Sequence, residues 1–220
     1  MGRANILRPE DQGDGRSPLA RAELPIDTAS LARFLIGKRL VRELPEGVVS
    51  GRIVETEAYV IGDAAGHAYR GITARNRSLF LERGHAYIYL AYGISYMLNV
   101  SSEVPGTGAG VLIRALEPRE GTSIMQLNRG IDRLRDLARG PGRLAMALRI
   151  DRRLDGLDLC QKGPLWLGQG DQEPSNIGQS IRIGITKEAS RVLRFYLRDS
   201  SFLSGPRSLN GPLKKSRLHK

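Results

Sequence analysis

The chain has 220 residues, enough for one domain with a substantial core, and carries 34 Lys and Arg against 23 Asp and Glu, a formal charge of +11 that favours a polyanionic partner such as nucleic acid. A single cysteine, Cys160, excludes an internal disulfide and a cysteine-built zinc centre, and with only His67, His85 and His219 as histidines no metal site is expected. No apolar run reaches the roughly 18 residues of a membrane span and no secretory leader opens the sequence, so a soluble intracellular protein is expected.

Residues 1–25 are rich in Gly, Pro, Arg and Asp without periodicity and read as a mobile tail. Asp27 can then cap a helix whose apolar residues Leu31, Leu35 and Ile36 recur at helical spacing before Gly37. Pro45-Glu46-Gly47 reads as a turn into a strand over 48–59, with Ile53, Glu55, Glu57 and Tyr59 on one face and Val54, Thr56 and Ala58 on the other. Residues 85–91 and 94–100 form a hairpin about Tyr92-Gly93, and 110–115 a further strand that ends on Arg114 and Ala115. Residues 122–128 and 143–150 look helical, 165–167 and 182–185 look extended, and 193–197 can close the sheet. Residues 205–220, with Pro206, Pro212 and the basic cluster Lys214, Lys215 and Arg217, read as a second tail. The expected architecture is one mixed α/β domain of the α+β kind over 26–204, a curved and mainly antiparallel sheet surrounded by helices.

The chemistry concentrates in the central strands. Two carboxylates, Glu55 and Glu57, sit at alternate positions of a strand, where one of them can be buried for use; an arbitrary strand Glu more often faces water or pairs with arginine. Tyr59 shares their face, and Tyr87 and Tyr89 share a face of the next hairpin, so flat surfaces lie near a carboxylate. Tyr92 at the hairpin bend can protrude, and Arg75, Asn76 and Arg77 can hold phosphates. A carboxylate pair also suits a sugar glycosidase, and a basic aromatic surface also suits a non-catalytic nucleic-acid-binding domain; both readings stay open at this point.

The chain resembles the alkyladenine DNA glycosylase family across residues 31–202. The resemblance lies in ordered blocks: Gly-Arg-Ile-Val-Glu-Thr-Glu-Ala-Tyr at 51–59, Arg-Asn-Arg at 75–77, Tyr-Ile-Tyr-Leu-Ala-Tyr-Gly at 87–93, Leu-Asn-Val-Ser-Ser at 98–102, Val-Leu-Ile-Arg-Ala-Leu-Glu-Pro at 111–118, Gly-Pro-Gly-Arg-Leu at 140–144 and Leu-Arg-Phe-Tyr at 193–196. It implies that Glu57 is the general base, that Arg114 positions the attacking water, and that the Ile183 carbonyl contacts that water. It further implies that Tyr59, His67 and Tyr89 enclose an extruded purine, that Asn99 bears on purine choice, and that Tyr92 fills the gap left in the duplex, with Arg75, Arg77 and Ile94 also on the DNA side. The chain departs from the family where Gly66 replaces a usual alanine, where Ile94 replaces a frequent methionine, and in a spacing from Glu57 to His67 shorter by one residue.

The resemblance implies a monomeric, cofactor-free DNA repair enzyme of base excision, acting on double-stranded DNA that contains damaged purines, with no membrane association. A place on the nucleoid in a prokaryotic cytoplasm, or in a eukaryotic nucleus, follows from that substrate. All six lysines, Lys38, Lys162, Lys187, Lys214, Lys215 and Lys220, lie outside the segment from Glu57 to Arg114, so water rather than a lysine Schiff base is the expected nucleophile and an abasic site the expected product.

Overall fold

The computed structural model describes residues 16–170 and 174–211. Its first helix, α1 (Thr28–Phe34), begins where expected, with the Asp27 carboxylate accepting the Ser30 N–H at 2.7 Å. One face of that turn and its exit, Leu31, Ala32, Leu35 and Ile36, is fully buried. Because a side-chain cap satisfies an otherwise orphaned N–H, Asp27→Ala is expected to cost about 1 kcal/mol, read as a lower thermal midpoint with activity retained.

Strands β1 (Arg39–Leu44) and β2 (Gly47–Tyr59) form an antiparallel hairpin across Pro45 and Glu46. The reading from sequence began the sheet at residue 48 and missed β1. Leu40 and Val41 are both buried, because β1 is flanked by β2 and by β6 (Leu165–Gly168), so the strand lacks the alternation of a half-exposed one. The remaining strands are β3 (Ala86–Ala91), β4 (Ser95–Ser101), β5 (Gly110–Glu120), β7 (Ile177–Ser180) and β8 (Arg194–Leu197). They make one curled antiparallel sheet in the order β3-β4-β5-β2-β1-β6, with β8 pairing both β2 and β7. β2 is its hub. It pairs β5 along its length, β1 through residues 47–52 and β8 through residues 55–57.

Two offsetting irregularities in the β2–β5 ladder aim the chemistry. Ile53 pairs Leu116 and Glu55 pairs Ala115, which leaves Val54 as an extra residue on β2; Thr56 then pairs Ile113, which leaves Arg114 as an extra residue on β5. Simple alternation is therefore broken, and the expectation that Ile53 shares a face with Glu55 and Glu57 is corrected. Ile53 packs in the main core with Leu31, Leu35 and Ala58, whereas Val54 joins a smaller cluster with Ala115, Tyr196 and Leu203. Thr56 turns to the helix side as well, its hydroxyl donating to the Ala32 carbonyl.

Helices α2 (Thr122–Arg129) and α3 (Pro141–Ala147) pack on each other, and Leu144, Ala145 and Leu148 enter the main core. The second of these was expected over 143–150; Pro141 at its first turn, where a missing N–H costs nothing, sets the earlier start. Residues 182–185, expected to be extended sheet, carry no strand. The Ile183 N–H is committed to the Glu57 side chain and Gly184 has φ 78°, so the ladder partner lies just upstream in β7.

The ends of the described chain are packed rather than loose. Leu19 and Leu24 are buried, the Leu19 N–H donates to Leu167, and the Trp166 indole N–H donates to the Arg16 carbonyl. At the other end the Gly211 carbonyl accepts from the Tyr196 hydroxyl. The cluster Lys214, Lys215 and Arg217 lies outside the described residues. No helix among the described residues is long and apolar enough to cross a membrane.

Candidate active site

Glu55 and Glu57 are both fully buried, and their partners separate them. Glu55 Oε1 accepts from Arg114 Nε at 3.0 Å, Arg194 Nε at 2.7 Å and the Ser204 hydroxyl at 2.8 Å, while Oε2 accepts the Ser204 N–H at 2.5 Å. Its accepting capacity is taken up by the fold. Glu57 Oε2 accepts from Arg114 Nη1 at 3.2 Å and the Tyr59 hydroxyl at 3.1 Å, and Oε1 accepts the Ile183 N–H at 2.7 Å. Burial pushes the Glu57 carboxyl above the usual carboxylate range, against the opposing pull of Arg114 and of the Ile183 N–H. Ile183 thus meets Glu57 through its N–H.

Arg114, Tyr59 and Ile183, the three residues that hold Glu57, line a cavity of about 610 Å³. Glu57 itself stands one layer behind that wall. The other residues expected around a base, His67, Tyr89 and Asn99, line the same cavity. The volume is in the range of small-ligand pockets, and the lining combines flat aromatic faces with a few directed polar groups.

Each aromatic residue is fixed from behind. Tyr87 and Tyr89 stack with ring centroids 5.5 Å apart, and His67 meets Tyr89 edge-on at 4.3 Å. His67 Nδ1 lies 2.9 Å from the Tyr87 hydroxyl, so Nε2 is the ring nitrogen left for a ligand. Burial first, and Arg75 second, lower the His67 pKa and keep the ring neutral at neutral pH. Burial also pushes the Tyr87 phenol up to about 12. The Asn99 amide donates to the Tyr87 carbonyl at 3.2 Å, which orients it before any ligand arrives. The Arg182 guanidinium lies 4.6 Å from the Tyr59 ring centroid and pairs with buried Asp63.

At the cavity mouth, Tyr92 and Gly93 have φ 51° and 70°, and the Ile94 N–H returns to the Ala91 carbonyl at 2.9 Å. This tight turn projects Tyr92 and Ile94 outward, 93% and 82% exposed. Arg75 and Arg77 are exposed in the loop between β2 and β3, with Arg75 5.9 Å from the Tyr89 ring centroid. Asn76, grouped with them from sequence, is buried instead. Its side chain bonds Thr73, the His67 carbonyl and the Gly71 carbonyl, so it shapes the loop that delivers His67.

Sequence reasoning did not single out Arg194, Ser204 or the Asp63–Arg182 pair. Arg194 carried a usable signal, being a lone charge between Leu193 and Phe195 in a strand that must be buried to close the sheet. Among the described residues, no group of three or more His, Cys, Asp or Glu is placed to hold a metal ion.

A family model described as methylpurine-DNA glycosylase matches residues 22–201. Among similar proteins, one from Mesorhizobium japonicum is 73% identical over 209 residues, covering 95% of this chain and 99% of its own. One from Paraburkholderia phytofirmans is 52% identical over 192 residues, with 87% and 90% covered, and one from Methanoculleus marisnigri is 46% identical over 182 residues, with 81% and 94% covered. All three carry the name "Putative 3-methyladenine DNA glycosylase".

Proposed function

Since the chain belongs to the methylpurine-DNA glycosylase family and is a DNA glycosylase for alkylated bases, we propose that it extrudes a damaged purine from duplex DNA and hydrolyses its N-glycosidic bond with a water activated by Glu57. The observation that carries this reading is the placement of a buried carboxylate, held by Arg114, Tyr59 and the Ile183 N–H, directly behind the wall of an aromatic cavity. An extruded, electron-poor purine stacks on the tyrosine faces, and a neutral His67 does not repel a cationic one. As the sugar bond breaks, positive charge grows on the sugar; ionised Glu57 stabilises it and takes the proton of the water, which bonds to the anomeric carbon as the base leaves. Among the described residues no lysine lines the cavity, which favours water over a covalent lysine intermediate and hence an abasic product in an uncut strand. The enzyme acts as a monomer, with Tyr92, Ile94, Arg75 and Arg77 toward the DNA.

The test is release of free base from duplexes carrying one 3-methyladenine, 7-methylguanine, hypoxanthine or ethenoadenine, with the strand then examined for breaks. Binding without release would leave a non-catalytic module, and strand cleavage would overturn the single-step hydrolysis.

The pH dependence has a definite sign. Glu57 acts only when ionised, and its pKa lies above the ordinary value of about 4.3, so single-turnover release should fall as pH drops through a midpoint displaced upward from that value. A midpoint at or below about 4.3 would separate the titrating base from Glu57.

A further inference from the structure

We propose that Arg194 is a positioning residue for base release: by neutralising Glu55 it leaves Arg114 available to hold Glu57 in its ionised form. The inference rests on the hydrolysis reading above and adds a residue that does not line the cavity and whose guanidinium bonds Glu55 rather than the Glu57 carboxylate.

The geometry sets up a relay. Glu57 and Arg194 are cross-strand partners in the β2–β8 ladder, yet the guanidinium runs diagonally to Glu55. Nε meets Glu55 Oε1 at 2.7 Å, Nη1 meets the Ser180 hydroxyl at 2.8 Å and the Leu209 carbonyl at 3.1 Å, and Nη2 meets the Asn210 amide oxygen at 2.8 Å. The Tyr196 ring supports the group with its centroid 4.6 Å from Cζ. Arg194 is fully buried, so water does not screen its charge.

Two carboxylates, Glu55 and Glu57, therefore share two guanidiniums, Arg114 and Arg194. Arg114 alone touches both acids, through Nε to Glu55 and Nη1 to Glu57. The other groups that act on Glu57 are the Tyr59 hydroxyl on its own strand, the Ile183 N–H, and the Tyr89 phenol of β3; Arg182 acts through the Tyr59 ring. With Arg194 in place the quartet is balanced. Without it, one guanidinium faces two acids, and an uncompensated Glu55 disfavours the ionised form of Glu57. The segment after β8 participates through Ser204, whose hydroxyl donates to Glu55 and accepts from Arg114.

The experiment is the pH profile of single-turnover release for wild type, Arg194→Gln, Arg194→Lys and the double variant Arg194→Gln/Glu55→Gln, on whichever panel lesion the wild type releases fastest. Arg194→Gln should move the acid midpoint up by about one pH unit. That is about a tenfold loss below the midpoint, narrowing as pH rises. Arg194→Lys keeps the charge and should hold the midpoint near wild type. The double variant restores one acid per guanidinium and should bring the midpoint back, and it remains a test even where Arg194→Gln alone fails to fold. A uniform loss at every pH with an unmoved midpoint would show a purely structural role and overturn the proposal. So would a Lys variant shifted as far as the Gln variant, or a double variant whose midpoint stays high. A wild type that releases no base from any duplex overturns the hydrolysis reading with it, whereas release with coincident midpoints overturns this inference alone.

Discussion

Glu57→Gln should retain binding to a lesion-bearing duplex while lowering single-turnover base release by about 10²- to 10⁴-fold, because shape persists while the proton acceptor and its negative charge are lost. With its oxygen in place of Oε2 the amide can still accept from Arg114 and Tyr59, and only the bond from the Ile183 N–H to Oε1 is lost, so the side chain keeps its shape in the cavity wall. Stability should change much less. The Glu57 pKa is raised in the folded state, so the stability linked to its protonated form is present below the unfolded pKa and is lost as pH rises through the folded one. At neutral pH the wild type therefore bears a costly buried carboxylate that the Gln variant lacks, but the variant also leaves Arg114 and Arg194 with Glu55 as their acid. The two effects oppose, and the variant should lose less stability than Glu55→Gln, because the Glu55 carboxylate holds both guanidiniums.

Glu55→Gln provides the contrast. Its carboxylate is bonded to Arg114, Arg194 and Ser204, and withdrawing its charge leaves two buried guanidiniums with one acid. Breaking a buried pair in this way costs about 3–5 kcal/mol, so the principal defect should be in folding, measured by chemical denaturation. A Glu57→Gln variant that unfolds while Glu55→Gln folds and loses only activity would reverse the two assignments.

What could be read from sequence divides by the range of the interactions involved. Asp27 with Leu31 and Leu35, and Tyr92-Gly93 between two strand-like runs, are local signals, and the helix and hairpin they indicate are present. Local alternation on β2 put Glu57 and Tyr59 on one face, and their side chains do meet. It failed at Ile53, because the extra residues Val54 and Arg114 belong to a pairing of two strands far apart in the chain. The support for the site is longer-range still. Ser204 reaches Glu55 and Arg182 reaches Asp63 only after the sheet has closed, and no periodicity within one segment encodes such a contact. The family resemblance supplied roles for Glu57, Arg114 and the tyrosines; the bond from the Ile183 N–H to Glu57 is a contact it did not name.

Tyr92→Ala should weaken capture of an extruded purine far more than it slows hydrolysis of a base already seated. The ring is 93% exposed at the cavity mouth and makes no hydrogen bond to Glu57, so it has no direct part in activating water. Its backbone indicates a maintained position. A bulky side chain at φ 51° lies in the left-handed region, at a cost of roughly 1–2 kcal/mol, while Gly93 beside it adopts φ 70° freely. Strain of this kind at an exposed tip fits a ring kept for contact with a partner. Tyr92→Gly removes both ring and strain, and should match Tyr92→Ala in extrusion while melting a few degrees higher than wild type. Lost base–aromatic stacking is worth about 1–3 kcal/mol, so the flipped population in a paired duplex should fall roughly tenfold or more. A fluorescent purine placed once in a paired duplex and once opposite a mismatch separates extrusion from chemistry. The defect should shrink in the mismatch, where less pairing and stacking must be broken. An equal loss of single-turnover release in both duplexes, with extrusion intact, would move Tyr92 into the catalytic cavity and end its assignment as the group that fills the duplex.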